Sequence, residues 1–146
     1  MKSNAQNKQT GTQGENLACK WLESKGFQIL MRNYYARCFG EIDIIALHTD
    51  VLHFIEVKTF KHSNPIYAIT PKKLARIYQS IDVFFAEYAQ NKQSRESKTR
   101  KQNQKAKAIA TLLDSGMDLG VYAYCVDALL IWGEKIEFIP NISHMG

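Results

Sequence analysis

Residues Gly40-Glu41-Ile42-Asp43-Ile44-Ile45-Ala46-Leu47-His48-Thr49-Asp50-Val51-Leu52-His53-Phe54-Ile55-Glu56-Val57-Lys58 decide how this chain folds. Two apolar runs, 42–47 and 51–57, flank the polar tip His48-Thr49-Asp50. This is the pattern of a strand, a turn and a returning strand, although Thr-Asp is a poorer turn pair than Asn-Gly. With Thr49-Asp50 as a two-residue loop, His48 faces Val51, and counting back sets Asp43 opposite Glu56 and Glu41 opposite Lys58. Period-two alternation puts Glu41, Asp43, Ile45 and Leu47 on one face with Leu52, Phe54, Glu56 and Lys58. The other face holds Ile42, Ile44, Ala46, His53, Ile55 and Val57. Both faces are largely apolar, so the hairpin belongs inside a sheet covered on both sides, with its charges at one end.

Outward from the hairpin, the chain reads as alternating helices and strands. Thr12-Gln13-Gly14-Glu15 has the form of a capping box, which predicts a first helix over 13–25 ended by Gly26, with residues 1–10 as a flexible tail. Residues 27–34 read as a first strand, returned to the hairpin by a polar turn at 37–40. After a connecting loop at 59–69, Thr70-Pro71 starts the clearest amphipathic helix. Its stripe is Leu74, Ile77, Tyr78, Ile81, Phe84, Phe85 and Tyr88, which reads as core rather than as a base-stacking platform. A short helical turn at 106–113 is broken by Asp114-Ser115-Gly116. A strand at 121–132 then turns at Gly133-Glu134 into a last strand through Ile136, Phe138 and Ile139. The helix between strand 52–58 and strand 121–131 implies a right-handed crossover and a parallel pair. The expected class is α/β with a mixed sheet, in one domain over 11–146.

Composition supports that reading and narrows the partners. The 146 residues are 45% hydrophobic and 23% charged, as in a soluble globular domain. No apolar run reaches the roughly 18 residues needed to span a bilayer, and residues 1–14 lack a signal peptide's hydrophobic segment. A cytoplasmic location away from membranes is therefore expected. Cys19, Cys38 and Cys125 show no zinc-ligand spacing with one another or with a histidine, and His48, His53, His62 and His144 form no ligand pattern. The net charge of +5 is concentrated in residues 91–107, where seven basic groups and one acidic group stand among Gln, Asn and Ser. A mobile basic loop is expected there. Its Lys98, Arg100 and Lys101, with Lys72, Lys73 and Arg76 at the start of the long helix, are candidate phosphate contacts.

Two carboxylates facing each other across a strand pair repel unless a positive charge neutralises them. Mg²⁺, or Mn²⁺, would do so between Asp43 and Glu56, with the carbonyl of Val57 as a further oxygen ligand. Lys58 points to the same face as Glu56, where its ammonium suits orienting a water or stabilising charge on a phosphoryl oxygen. A phosphodiester hydrolase site follows. The same spacing also admits a plain Glu41–Lys58 ion pair with solvated carboxylates, and the capping box alone accounts for Glu15 unless the first helix presents it to a metal.

The order of elements resembles the PD-(D/E)XK nuclease superfamily, whose restriction-endonuclease-like core is α-β-β-β-α-β, with an acidic residue on the second strand and Glu-x-Lys on the third. More narrowly, Gly11, Gly14-Glu15, Ala18, Gly26-Phe27, Asn33-Tyr34, Gly40-Glu41-Ile42-Asp43-Ile44-Ile45-Ala46 and Phe54-Ile55-Glu56-Val57-Lys58-Thr59 are similar to the bacterial YraN-like family. Lys73 and Val126-Asp127 extend the similarity, while the basic stretch is longer than usual and Tyr124-Cys125 stands where Arg-Phe is common. The resemblance implies catalytic roles for Asp43, Glu56 and Lys58, and matches Glu15 to the first-helix glutamate of Holliday-junction resolvase-like members. Glu41 belongs to the narrower motif as a secondary candidate. The implied activity is a metal-dependent endonuclease on DNA, branched or damaged, with a homodimer by analogy to resolvases. A non-catalytic nucleic-acid-binding protein on the same fold is the alternative of another class, and no residue pattern separates DNA from RNA.

Overall fold

The two-residue turn closes the central hairpin as the sequence predicts. Thr49 and Asp50 both take left-handed backbone angles (φ 46° and 60°), the pair that a tight hairpin turn demands even of non-glycine residues. The structure, a computed structural model, describes residues 4–62, 65–94 and 104–142. In chain order the elements are α1 (Asn4–Ser24), β1 (Gln28–Tyr35), β2 (Glu41–His48), β3 (Val51–Phe60), α2 (Pro71–Ser94), α3 (Gln104–Asp114), β4 (Ala123–Trp132) and β5 (Lys135–Ile139). The strands form one sheet in the order β1-β2-β3-β4-β5, antiparallel except for the parallel β3–β4 pair that the crossover requires.

Period two divides the sheet's side chains as expected. Ile44, Ala46, Ile55, Leu129 and Ile131 pack with Ala18 and Leu22 of α1 on one face. Ile45, Leu52, Phe54 and Leu130 pack with Ile77, Ile81 and Phe84 of α2 and Ile109 of α3 on the other. Ile42 is the exception: counted with Ile44, it joins the α2-side cluster instead, at the end of β2 where that strand has left β3. Helix α2 starts as its sequence dictates, with the Thr70 hydroxyl accepting the Lys73 amide at 3.2 Å and Pro71 at the first position, where no amide is needed.

The first helix departs from its expected start. It begins at Asn4, so residues 4–10, expected as tail, are its opening turns, and Thr12 lies inside the helix rather than capping it. The physical reason is local: nothing in Asn4-Ala5-Gln6-Asn7-Lys8-Gln9-Thr10 forbids helix, and no proline blocks its extension past Thr12. The basic stretch is also bounded more tightly than expected. Residues 91–94 close α2 and residues 104–107 open α3, whereas Lys98, Arg100 and Lys101 lie outside the described residues. No described helix is long and apolar enough to cross a membrane.

Candidate active site in the strand fork

Ladder pairing between β2 and β3 runs from His48↔Val51 to Ile44↔Ile55 and stops there. Beyond that point β2 stays with β1 through Tyr34↔Ile42 and Tyr35↔Glu41, while β3 stays with β4 through Glu56↔Ala128 and Lys58↔Leu130. The sheet therefore forks at the charged end of the hairpin, and Asp43 with Glu56, and Glu41 with Lys58, are not the ladder partners that register counting implies. Two carboxylates placed directly opposite each other are disfavoured. The Asp43 Oδ2 instead accepts the Val57 amide at 2.8 Å, so a side chain satisfies the donor that the departed strand leaves open.

Helix α1 lies across the fork because Gly14 permits it. A Cβ at this position would run into Thr59 Oγ1 of β3, so only glycine allows the approach that carries Glu15 to the site. Gly14→Ala is expected to destabilise the fold by about 1–3 kcal/mol, as overpacking does. Thr59→Ala in the same chain should restore most of the stability, as measured by urea denaturation; no rescue would mean that this close approach does not set the helix position.

One oxygen each of Glu15, Glu41 and Asp43 lies within 4.8 Å of the others. Asn33 holds two of these carboxylates: with its amide nitrogen turned toward them, it donates to Glu41 Oε1 at 2.6 Å and Glu15 Oε2 at 2.8 Å. Asn33 takes φ 53° within β1, a backbone angle that asparagine tolerates better than most residues. Arg32 adds a 3.8 Å contact to Glu15. Crowding shows in the proton affinities. Burial, then the Glu56 charge, pushes Asp43 up to about 8 from its ordinary 3.8, against the pull of the Val57 amide. Burial also raises Glu15 and Glu41, the latter with help from Glu15 and Glu56.

The other side of the fork is basic. Glu56, 6% exposed, receives Lys73 Nζ at 2.8 Å and Lys58 Nζ at 3.5 Å, both on Oε1. The partner of Lys58 is thus Glu56 and not Glu41. Burial, and then the hydrogen bond with Lys73, lowers the Lys58 pKa. Burial works against charge on Lys73 too, but the Glu56 carboxylate and its hydrogen bond outweigh it and raise Lys73. The neighbouring ammonium groups therefore differ: Lys73 keeps its proton firmly, and Lys58 gives its proton up more readily.

These groups line one cleft of about 1170 Å³. Lys72 and Arg76, both exposed, join Lys73 along its α2 side, which places three of the sequence-predicted phosphate contacts beside the acidic fork. Asp43, Glu56, Val57, Lys58, Glu15 and Glu41 all line it as well. Sequence reasoning misses two contributions. Asn33 carries a signal only as part of the Asn33-Tyr34 pair, and Lys73 reads as a phosphate contact with no sign of its bond to Glu56. The all-oxygen donor set of Glu15, Glu41 and Asp43, with raised proton affinity throughout, fits a hard divalent cation such as Mg²⁺ or Mn²⁺.

A forked mixed sheet between helices, an aspartate on its second strand, Glu-Val-Lys on its third and a glutamate from the first helix define a restriction-endonuclease-like α/β protein. The chain belongs to the uncharacterised protein family UPF0102, whose family model matches residues 14–113. It is 39% identical over 133 residues to a UPF0102 protein of Helicobacter hepaticus, covering 91% of this chain and 93% of that one. It is 34% identical over 140 residues to one of Helicobacter pylori strain Shi470, covering 96% of each. A Sulfurovum relative is 37% identical over 134 residues, covering 91% and 92%.

Proposed function

We propose that this protein is a Mg²⁺- or Mn²⁺-dependent endonuclease that hydrolyses phosphodiester bonds of DNA, with branched or damaged DNA as candidate substrates. The observation that carries the reading is the joining, in one cleft, of an acidic fork, two lysines on Glu56 and a basic helix start. Asp43 would hold the cation with Glu15 and Glu41, whose oxygens lie within 4.8 Å of its own, and Glu56 with the Val57 carbonyl would complete the set that the sequence motif implies. When bound, the cation would polarise the scissile phosphate and lower the pKa of an attacking water. The chain's own groups divide the rest. Lys73 neutralises Glu56, and Lys58, with its lowered proton affinity, orients the water or donates a hydrogen bond to the phosphoryl oxygen on which charge builds. Lys72 and Arg76 hold the flanking phosphates. Lys98, Arg100 and Lys101 remain candidates for a longer track of the same kind.

The test is incubation of the purified full chain with supercoiled, linear and four-way-junction DNA, with Mg²⁺, Mn²⁺ or chelator. Cation-dependent nicking supports the reading, and no cleavage of any of these DNAs would overturn it. One observation favours a non-catalytic nucleic-acid-binding role: Lys73 sits 2.8 Å from a Glu56 oxygen that a metal would use. In that case DNA binding would survive without cation and without cleavage. For the basic wall, Lys72→Ala with Arg76→Ala is expected to weaken DNA binding uniformly across sequences. The salt slope of log K should fall by about 0.9 for each phosphate that the variant no longer neutralises. Fluorescence anisotropy across a salt series checks this, and an unchanged slope removes these residues from the interface.

A further inference from the structure

His53, Cys125 and Asp127 meet at a place that their spacing in the chain does not announce. The parallel β3–β4 pair sets His53 beside Cys125 and Ile55 beside Asp127, so all three side chains rise from the α1 face. This is the face opposite Glu56 and Lys58, near the hairpin-tip end of β3. His53 Nδ1 lies 2.5 Å from Asp127 Oδ2 and 3.2 Å from Cys125 Sγ, and Sγ lies 3.4 Å from Asp127 Oδ1. We propose that these three residues form a second cation site, selective for a borderline-soft transition ion of the Zn²⁺ type and separate from the acidic fork.

The donor chemistry makes the distinction. One imidazole, one thiol and one carboxylate suit Zn²⁺, whereas the fork offers only oxygen. Bond lengths of about 2.0–2.3 Å to a tetrahedral ion separate its ligand atoms by roughly 3.3–3.6 Å, so the Cys125–Asp127 edge already matches and the His53–Cys125 edge falls just short of it. The His53–Asp127 edge has to open by about 1 Å as the ion replaces the proton they share. Charge points the same way. Asp127 is 0% exposed, and among the described residues its ion-pair partner is His53, which is charged only when protonated. A buried carboxylate needs a positive neighbour, and a divalent ion supplies one.

The surroundings are already arranged. The Asn141 amide donates to Asp127 Oδ1 at 2.8 Å, and the Phe27 ring meets the His53 ring edge-on at 5.0 Å. Such outer partners hold ligands in orientation. Burial and then the Asp127 carboxylate push the Cys125 thiol up to about 12, so the ion has to displace its proton on binding.

The test is titration of the full-length, chelator-treated and reduced protein with Co²⁺, a spectroscopic stand-in for Zn²⁺. Expected is one equivalent that shows a near-ultraviolet thiolate-to-cobalt band with tetrahedral visible absorption, both displaced by Zn²⁺. Cys125→Ser should remove the near-ultraviolet band and weaken Zn²⁺ at least about 100-fold, more than loss of an outer partner would. His53→Gln should lower the visible intensity, and Asp43→Asn should leave both signals intact. Absence of the band from wild type at one equivalent overturns the site without recourse to any variant. A band that persists in Cys125→Ser, and so comes from Cys19 or Cys38, overturns it too.

Discussion

Lys58→Ala should bind DNA within about threefold of wild type yet nick it about 10²–10⁴-fold more slowly, the range for loss of a positioned acid, base or charge stabiliser. The expectation rests on an asymmetry between two lysines. Lys73, at 2.8 Å from Glu56, is the firmer counter-ion, and Lys58, at 3.5 Å, is held at lowered proton affinity. Loss of Lys58 therefore leaves Glu56 paired and the fold intact, and removes the group best placed to act on the reacting atoms. Lys58→Arg should not restore the rate, since a guanidinium keeps its charge but neither yields a proton nor matches the reach of an ammonium. Single-turnover cleavage in Mn²⁺, with binding followed separately in Ca²⁺, checks the split. Unchanged cleavage in Lys58→Ala would dismiss the residue from the chemistry.

Asp43→Asn should have the second-largest effect, and with opposite signs on stability and on cation response. Asp43 keeps its proton in the folded chain up to about 8, against an ordinary 3.8. Between those values the folded state binds more protons than the unfolded chain. The stability this confers is fully present below about pH 4 and is lost as pH rises through about 8. Asparagine still offers an oxygen to the Val57 amide but carries no charge into the crowd of Glu56, Glu15 and Glu41. In chelator the variant should match wild type near pH 4 and exceed it by a margin that grows as pH rises to 8. Mg²⁺ should raise the melting temperature of wild type at pH 8 and leave the variant unmoved. Urea denaturation at both pH values and thermal melts with Mg²⁺ measure this. A gain equal at both pH values, or an equal Mg²⁺ effect on both proteins, would remove Asp43 from the proposed cation site.

Much of this architecture is legible from local rules. A two-residue loop and period two leave one register for the hairpin, and His48↔Val51 through Ile44↔Ile55 follow from it. Thr70-Pro71 and the apolar stripe beyond it set the start and buried face of α2 in the same way. The failures fall where a local rule meets a distant residue. Thr12-x-x-Glu15 has the form of a cap, but Gly14 serves the close approach to Thr59 and Glu15 serves the fork, both far along the chain from the strands they meet.

The sequence by itself determined the class, the central hairpin, the crossover and the gathering of Asp43, Glu56 and Lys58 at one end, because turn length and periodicity act between near neighbours. Only the tertiary structure decided what those charges do with one another. Beyond Ile44↔Ile55 β2 parts from β3, and there Asp43 turns to the Val57 amide, Lys58 and Lys73 converge on Glu56, and Asn33 bridges Glu15 to Glu41. The parallel β3–β4 pair likewise brought His53 to Cys125 and Asp127, more than seventy residues along. Electrostatics and ladder pairing between distant strands act through space, and residue spacing along the chain does not encode them.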